Sequence, residues 1–147
     1  MPNRSNTTTV IDVDARAAML AFDAAAHATL DPALVELVRL RASQLNGCRY
    51  CTDLHAAAAR AAGERDGRLA GLARWRDEAC YSEPERAALA LTEAVTLIAG
   101  TGVPDAVLDD ASRTFTPTEL AHLLWTIAAI NVWNRVAIAT RMADRPG

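Results

Sequence analysis

Lysine is absent from this 147-residue chain, and all fifteen of its basic residues are arginine. A chain without lysine cannot form a Schiff base with a substrate carbonyl, and it cannot supply the lysine of a phosphate-binding P-loop. It also lacks a Gly-rich nucleotide-binding motif. These absences exclude several large classes of enzyme.

Cysteine is also scarce, with three residues in the whole chain. Three are too few for the disulfide framework of a small secreted protein, and one of them would be left without a partner. The polar start at residues 1–6 lacks the apolar run of a signal peptide. We therefore expect a cytoplasmic protein whose thiols are reduced at rest.

No apolar run of this sequence is long enough to predict a membrane span. The longest uncharged stretch, residues 120–134, is shorter than the roughly 20 residues that a bilayer requires, and it predicts a buried core helix instead. The formal net charge is −3, and no basic stripe is interleaved with aromatic residues. We expect neither a membrane nor a nucleic acid among the partners of this protein.

Alanine is abundant, at 32 of the 147 positions, and no alternating apolar pattern typical of strands is present. This composition predicts one all-α domain over residues 1–147, built as a bundle of six or seven helices, with residues 1–11 as a flexible N-terminus. Capping signals at Asp31, Ser82 and Thr116 mark three helix starts. Helices are predicted at about 12–30, 31–45, 46–62, 65–76, 82–99, 104–113 and 116–140.

The most informative motif is C-x-x-C, formed by Cys48 and Cys51, followed by His55. Steps of three and four residues place the three side chains on one face of a helix. Two thiols that can close a disulfide, beside an imidazole that can accept a proton near neutral pH, form a minimal dithiol redox site. Cofactors and metals are not required for this chemistry, and we expect none.

The position of the two thiols relative to the helix start leaves both as candidate nucleophiles. If Asn46 caps the helix, Cys48 lies near its second residue, where unpaired backbone N–H groups favour a thiolate. Cys51 instead lies four residues before His55, within reach of a proton acceptor. The residues alone do not choose between them.

Glu36 lies on the polar side of the preceding predicted helix, and it has two interpretations. The tight Asn46-Gly47 connection makes the two helices neighbours, so Glu36 would line the groove that the thiols face. Alternatively, Glu36 forms a solvated ion pair with Arg39.

Two functions without turnover compete with a redox enzyme. Cys48, Cys51 and His55, joined by Glu36 or Cys80, are a possible zinc-binding set. Structural zinc sites, however, usually place C-x-x-C on a turn, with the other ligands far along the chain. The second alternative is a dithiol that acts as a redox switch.

The run of residues 36–51, from Glu36 through Cys51, followed by His55, resembles the core signature of the carboxymuconolactone decarboxylase-like superfamily. It is most similar to the AhpD-like alkylhydroperoxidase branch. The specific part is an acid twelve residues before the first cysteine, then C-x-x-C, then a histidine four residues after the second cysteine. The resemblance covers a core of about 19–140 and includes residues 75–76, 83–96 and 130–135.

This resemblance implies an AhpD-like helical bundle that assembles into homo-oligomers, either trimers or hexamers, and reduces organic hydroperoxides. It implies that Glu36 and His55 relay a proton from Cys51, which attacks the peroxide and becomes a sulfenic acid. Cys48 then closes the disulfide. A dithiol reductant protein, lipoylated or thioredoxin-like, would reopen the disulfide through Cys48, expected to be the more exposed sulfur.

One position departs from the pattern of the best-studied peroxidase branch. That branch has a second histidine immediately before the second cysteine, where this chain has Tyr50. Tyrosine donates a hydrogen bond but is a poor base at neutral pH. Decarboxylation of a carboxymuconolactone-like substrate is a weaker alternative, because the decarboxylase branch generally lacks the cysteine pair.

Overall fold

A computed structural model describes residues 12–144, and the predicted flexible N-terminus, residues 1–11, lies outside them. The described chain is all-helical, which confirms the predicted fold class. All seven predicted helical segments form, and a single additional turn, α6, follows the fifth. The helices are α1 (Val13–Ala26), α2 (Pro32–Asn46), α3 (Arg49–Ala61), α4 (Asp66–Gly71), α5 (Glu83–Thr96), α6 (Ile98–Thr101), α7 (Asp105–Thr114) and α8 (Pro117–Ala139).

The helix starts follow the capping signals of the sequence. Asp31 accepts a hydrogen bond from the backbone N–H of Leu34, with a proline at the first position of α2. Ser82 and Thr116 each form a complete capping box at the starts of α5 and α8. Local sequence therefore fixes where three of the longer helices begin.

The prediction that Asn46 caps α3 is wrong. Asn46 is the last residue of α2, which ends because Gly47 adopts a left-handed conformation with φ of 69°. Cys48 is the N-cap of α3, and its sulfur accepts the backbone N–H of Cys51. The Asn46 side chain instead donates to two amide oxygens of α8.

The core is arranged around α2, which packs against α3, α5 and α8. One apolar cluster joins α2, α5 and α8, and a second joins α2 to α3, α5 and the short 3-10 helix Leu72–Asp77. Within residues 12–144, no helix has both the length and the apolar character needed to cross a membrane. The central position of α2 places its polar side against α1 and α3.

Side-chain amides tie α2 to α8 close to the start of α3. The Nδ2 of Asn46 donates to the Oδ1 atoms of Asn131 and Asn134, each at 2.9 Å. The Nδ2 of Asn134, which is fully buried, donates to the hydroxyl of Ser43 at 3.0 Å. Because hydrogen bonds are directional, this set fixes the register between the two helices beside the cysteines.

Candidate functional site

The two cysteines of the C-x-x-C motif form a disulfide at the N-terminus of α3. Cys48 is 2% exposed and Cys51 is 3% exposed, and both pack against Ala137 and Met142. The expectation that Cys48 is the more exposed sulfur is therefore wrong. The N-cap position turns Cys48 inward, where the residues at the end of α8 and beyond cover it.

Glu36 and His55 are in direct contact, although α2 and α3 carry them nineteen residues apart. The Nδ1 of His55 lies 2.8 Å from Oε2 of Glu36, and both side chains are 13% exposed. With the proton on Nδ1, this hydrogen bond leaves Nε2 of His55 as the proton-accepting nitrogen. His55 is one helical turn from Cys51 on α3.

Arg39 and Asp23 extend this contact into a chain of charged groups. The second carboxylate oxygen of Glu36, Oε1, accepts a hydrogen bond from Arg39 at 2.8 Å. Arg39 also binds both carboxylate oxygens of Asp23, at 3.0 and 3.1 Å. Glu36 therefore pairs with Arg39, as one interpretation predicted, but the two side chains are only 13% and 11% exposed, so this ion pair is not a solvated one. We refer to Asp23, Arg39, Glu36 and His55 as the acid–base chain.

The electrostatics of the acid–base chain favour an ionised Glu36. Burial alone would raise the pKa of Glu36 above its ordinary value of 4.5. The hydrogen bond and charge of His55, together with the charge and hydrogen bond of Arg39, outweigh burial and lower that pKa. Glu36 is therefore a carboxylate at neutral pH, able to accept the Nδ1 proton of His55.

A cavity of about 240 Å³ adjoins Cys51 and His55. Among the described residues, Cys51 and His55 contribute to its lining, whereas Cys48 and Glu36 do not. We call this space the thiol cavity. Its other lining residues come mainly from α1, α3 and α8, and they are Arg16, Leu20, Asp23, Arg39, Tyr50, Leu54, Trp133, Val136, Ala137 and Met142.

Several of these side chains were not found by sequence reasoning. Asp23 and Arg16 belong to α1, and no local spacing connects that helix to the C-x-x-C motif. Trp133, on α8, also lines the thiol cavity. Tyr50 is 40% exposed and lies on the wall of the same cavity.

The zinc alternative depends on a cluster of ligands that the described chain does not assemble. Over residues 12–144, no group of three or more His, Cys, Asp and Glu side chains is arranged to hold a metal ion. Cys80 is a free thiol on the surface and does not join the C-x-x-C motif.

Comparison with known proteins gives three matches. Residues 12–94 match the model of the Carboxymuconolactone decarboxylase family. The uncharacterized protein YdfG of Bacillus subtilis (strain 168) is 39% identical over 104 residues, which cover 71% of each chain. A crystal structure of a protein of unknown function from Agrobacterium tumefaciens, suggested to be the antioxidant defence protein AhpD, has a TM-score of 0.89. That protein is 33% identical, and the match covers 98% of both chains.

Proposed function

The chain belongs to the carboxymuconolactone decarboxylase family, and we propose that it is an AhpD-like, thiol-dependent peroxidase that reduces organic hydroperoxides. One observation carries this proposal. Cys51 and His55 share the wall of a largely apolar cavity, while the Nδ1 of His55 is hydrogen-bonded to an ionised carboxylate, Glu36. A nucleophile, a base and a group that orients the base are thus present together.

The first step is removal of the thiol proton from Cys51. In the reduced protein, Nε2 of His55 takes this proton directly or through one water, and Glu36 stabilises the resulting imidazolium through Nδ1–H. Arg39 keeps Glu36 ionised and oriented, and Asp23 balances the charge of Arg39. These residues supply a thiolate without any cofactor.

Peroxide reduction then follows as a two-electron step. The Cys51 thiolate attacks the terminal oxygen of the hydroperoxide, the O–O bond breaks, and the alkoxide leaves and takes up a proton to become an alcohol. Cys51 is now a sulfenic acid. The thiol of Cys48 attacks the Cys51 sulfur, water leaves, and the disulfide closes. Cys51 is assigned the first attack because it lines the thiol cavity and Cys48 does not.

A dithiol reductant completes the cycle by thiol–disulfide exchange. A lipoylated or thioredoxin-like protein would give two electrons and two protons, restore both cysteines and leave oxidised. Because both sulfurs are buried, the exchange requires movement of the residues that cover them. We place this cycle in the cytoplasm, where such dithiol proteins are kept reduced.

We further propose that the protein acts as a homo-oligomer, a trimer or hexamer. Large apolar side chains lie on the outer surface of α8, and contact between copies would remove them from water. Trp125, Val132 and Ile138 are 55%, 43% and 46% exposed in the single chain.

A redox switch without turnover is the second candidate function. The burial of both sulfurs favours it, since a disulfide that reductants reach slowly would persist after a single oxidation.

Stopped-flow measurement of cumene hydroperoxide consumption by the reduced protein tests the proposed function. We expect wild type to react far faster than a free thiol and Cys51→Ser to lose that reaction, while Cys80→Ser, the matched control on the free surface thiol, retains it. Reaction no faster than that of a free thiol, or an unaffected Cys51→Ser variant, would contradict the proposal. One oxidation per chain, without cycling on a dithiol reductant, would favour the switch.

A further inference from the structure

One cation in the wall of the thiol cavity has no counter-ion within residues 12–144. Three basic side chains line the cavity, and they are Arg16, Arg39 and His55. Arg39 forms ion pairs with Asp23 and Glu36, and His55 also binds Glu36. In the part of the chain that the structure describes, the guanidinium of Arg16 has no ion pair and no hydrogen bond.

No ion pair joins Arg16 to the acidic residues nearest to it in the described chain. Asp12 is the N-cap of α1, and its carboxylate accepts the backbone N–H of Ala15 at 2.8 Å. Asp14 is two residues away, and residues two apart on a helix do not face each other. Asp23, the acidic residue of the cavity wall, has both oxygens bound to Arg39.

The geometry of α1 separates Arg16 from the acid–base chain. Arg16, Leu20 and Asp23 follow one another on one face of the helix, at steps of four and three residues. At 1.5 Å per residue, Arg16 lies about 10 Å from Asp23 along the helix axis. Arg16 is therefore an exposed residue of the cavity wall about two helical turns along α1 from Asp23, where the acid–base chain begins.

The remaining wall of the thiol cavity is mostly apolar. Leu20 and Leu54 contribute from α1 and α3, and α8 contributes Trp133, Val136 and Ala137. A ligand with an apolar body would be taken out of water along this wall. An anionic group on that ligand would meet Arg16, because a guanidinium forms paired hydrogen bonds with a carboxylate.

We propose that the thiol cavity selects organic hydroperoxides that carry a carboxylate, with the carboxylate bound by Arg16 and the peroxide at Cys51. This inference rests on the proposed function and adds the substrate class. The carboxylate is unchanged by the reaction, which converts the hydroperoxide into a hydroxy acid while Cys51 becomes a sulfenic acid. A volume of about 240 Å³ is smaller than the ~300–1,000 Å³ of sites for drug-sized ligands, so the apolar body is limited to a single ring or a short chain.

A matched set of three hydroperoxides tests this inference. The substrates are 4-(2-hydroperoxypropan-2-yl)benzoate, its methyl ester and cumene hydroperoxide, which carries neither group. We expect reduced wild type to react about tenfold or more faster with the acid than with the ester, as a charge-assisted hydrogen bond would provide. Arg16→Gln should abolish this difference, so that the acid and the ester react at equal rates. Arg16→Lys should keep part of the preference for the acid. The control Arg65→Gln, which replaces an exposed arginine outside the cavity, should keep all of that preference.

Calorimetric titration provides a readout that does not need turnover. The probe is the unreactive alcohol 4-(2-hydroxypropan-2-yl)benzoate, added to the disulfide form of wild type and of Arg16→Gln. In the kinetic test, equal rates with the acid and the ester, or a preference for the acid that persists in Arg16→Gln, would overturn the inference. Reduction of cumene hydroperoxide by the same protein would leave the proposed function in place. If no hydroperoxide is consumed, the proposed function fails. In that case, binding of the alcohol to wild type but not to Arg16→Gln would still support a carboxylate site at Arg16. If the alcohol does not bind in this Arg16-dependent way, the carboxylate site is overturned as well.

Discussion

The Nδ1 of His55 lies 2.8 Å from the carboxylate of Glu36, which another helix supplies nineteen residues earlier in the chain. This contact determines which nitrogen of the imidazole accepts a proton, because an ionised Glu36 holds the proton on Nδ1. The nitrogen that remains, Nε2, is on a residue that lines the same cavity as Cys51. The chemistry proposed for the dithiol depends on this one interaction between α2 and α3.

Replacing Glu36 with glutamine should slow the reaction of Cys51 with cumene hydroperoxide by at least about tenfold. The amide oxygen of the new side chain still accepts a hydrogen bond from His55, but it no longer carries the charge that stabilises the imidazolium. Single-turnover stopped-flow kinetics of the reduced protein would measure this rate. Glu83→Gln, an exposed glutamate in the first turn of α5, is the matched control and should react like wild type. Equal rates for Glu36→Gln and wild type would exclude a charge relay.

Removing the charge of Arg39 should move the pH dependence of Cys51 reactivity. Burial raises the pKa of Glu36, whereas His55 and Arg39 lower it, so Arg39→Met is expected to raise that pKa. With a higher pKa, Glu36 becomes protonated at a higher pH as the solution is acidified. A protonated Glu36 no longer stabilises the charge of His55. The acidic limb of the profile should therefore shift to higher pH, and Arg39→Lys should shift it less.

Alkylation of the reduced protein by iodoacetamide between about pH 4 and 8, followed at Cys51 by mass spectrometry, would record this profile. Arg74→Met removes an exposed arginine that pairs with Glu78 at 3.1 Å and serves as the control. A profile of Arg39→Met that superimposes on that of wild type would show that Arg39 has only a structural role.

Shortening Met142 should speed reduction of the disulfide. This side chain packs against Cys48, Cys51 and Ala137, so Met142→Ala uncovers the sulfurs to an attacking thiolate. We expect the rate with dithiothreitol or dihydrolipoamide to rise roughly threefold or more. Asp144→Asn changes only an exposed ion pair with Arg49, and it should leave the rate unchanged. If the disulfide of Met142→Ala is reduced no faster than that of wild type, the Met142 side chain does not limit the access of the reductant to the sulfurs.

Replacing Asn134 with alanine should destabilise the fold by about 2–3 kcal/mol. The variant leaves the hydroxyl of Ser43 without the donor Nδ2 and removes one acceptor of Asn46, both within the α2–α8 contact. Urea unfolding would measure the loss. Thr118→Ala, at an exposed position near the start of α8, should change stability by less than about 0.5 kcal/mol. A similarly small effect of Asn134→Ala would mean that the hydrogen bonds of Asn134 contribute little to the free energy of unfolding.

The sequence predicted the parts of the site that follow from helical periodicity. Cys51 and His55 lie on one face of α3 because their spacing matches the helical repeat, and the capping boxes fixed the starts of α5 and α8. Cys48, which the spacing placed on the same face, is the N-cap of α3 and does not line the cavity that Cys51 and His55 share. The resemblance added Glu36, which no local spacing connects to the thiols. The prediction that Asn46 caps α3 failed because a helix cap is only one way to satisfy the hydrogen bonds of an amide side chain. Contact with Asn131 on α8 provided another.

By itself, the amino-acid sequence determined the helical class, most helix boundaries and the alignment of Cys51 with His55, since all of these depend on residues within a few positions of one another. Only the tertiary structure decided which cysteine faces a cavity, that both sulfurs are covered, and that Asp23 and Arg39 stand behind Glu36. Among the described residues, it also left Arg16 without an ion pair in the cavity wall. These features arise where α1, α2, α3 and α8 meet, and such contacts between distant segments depend on how the whole core packs.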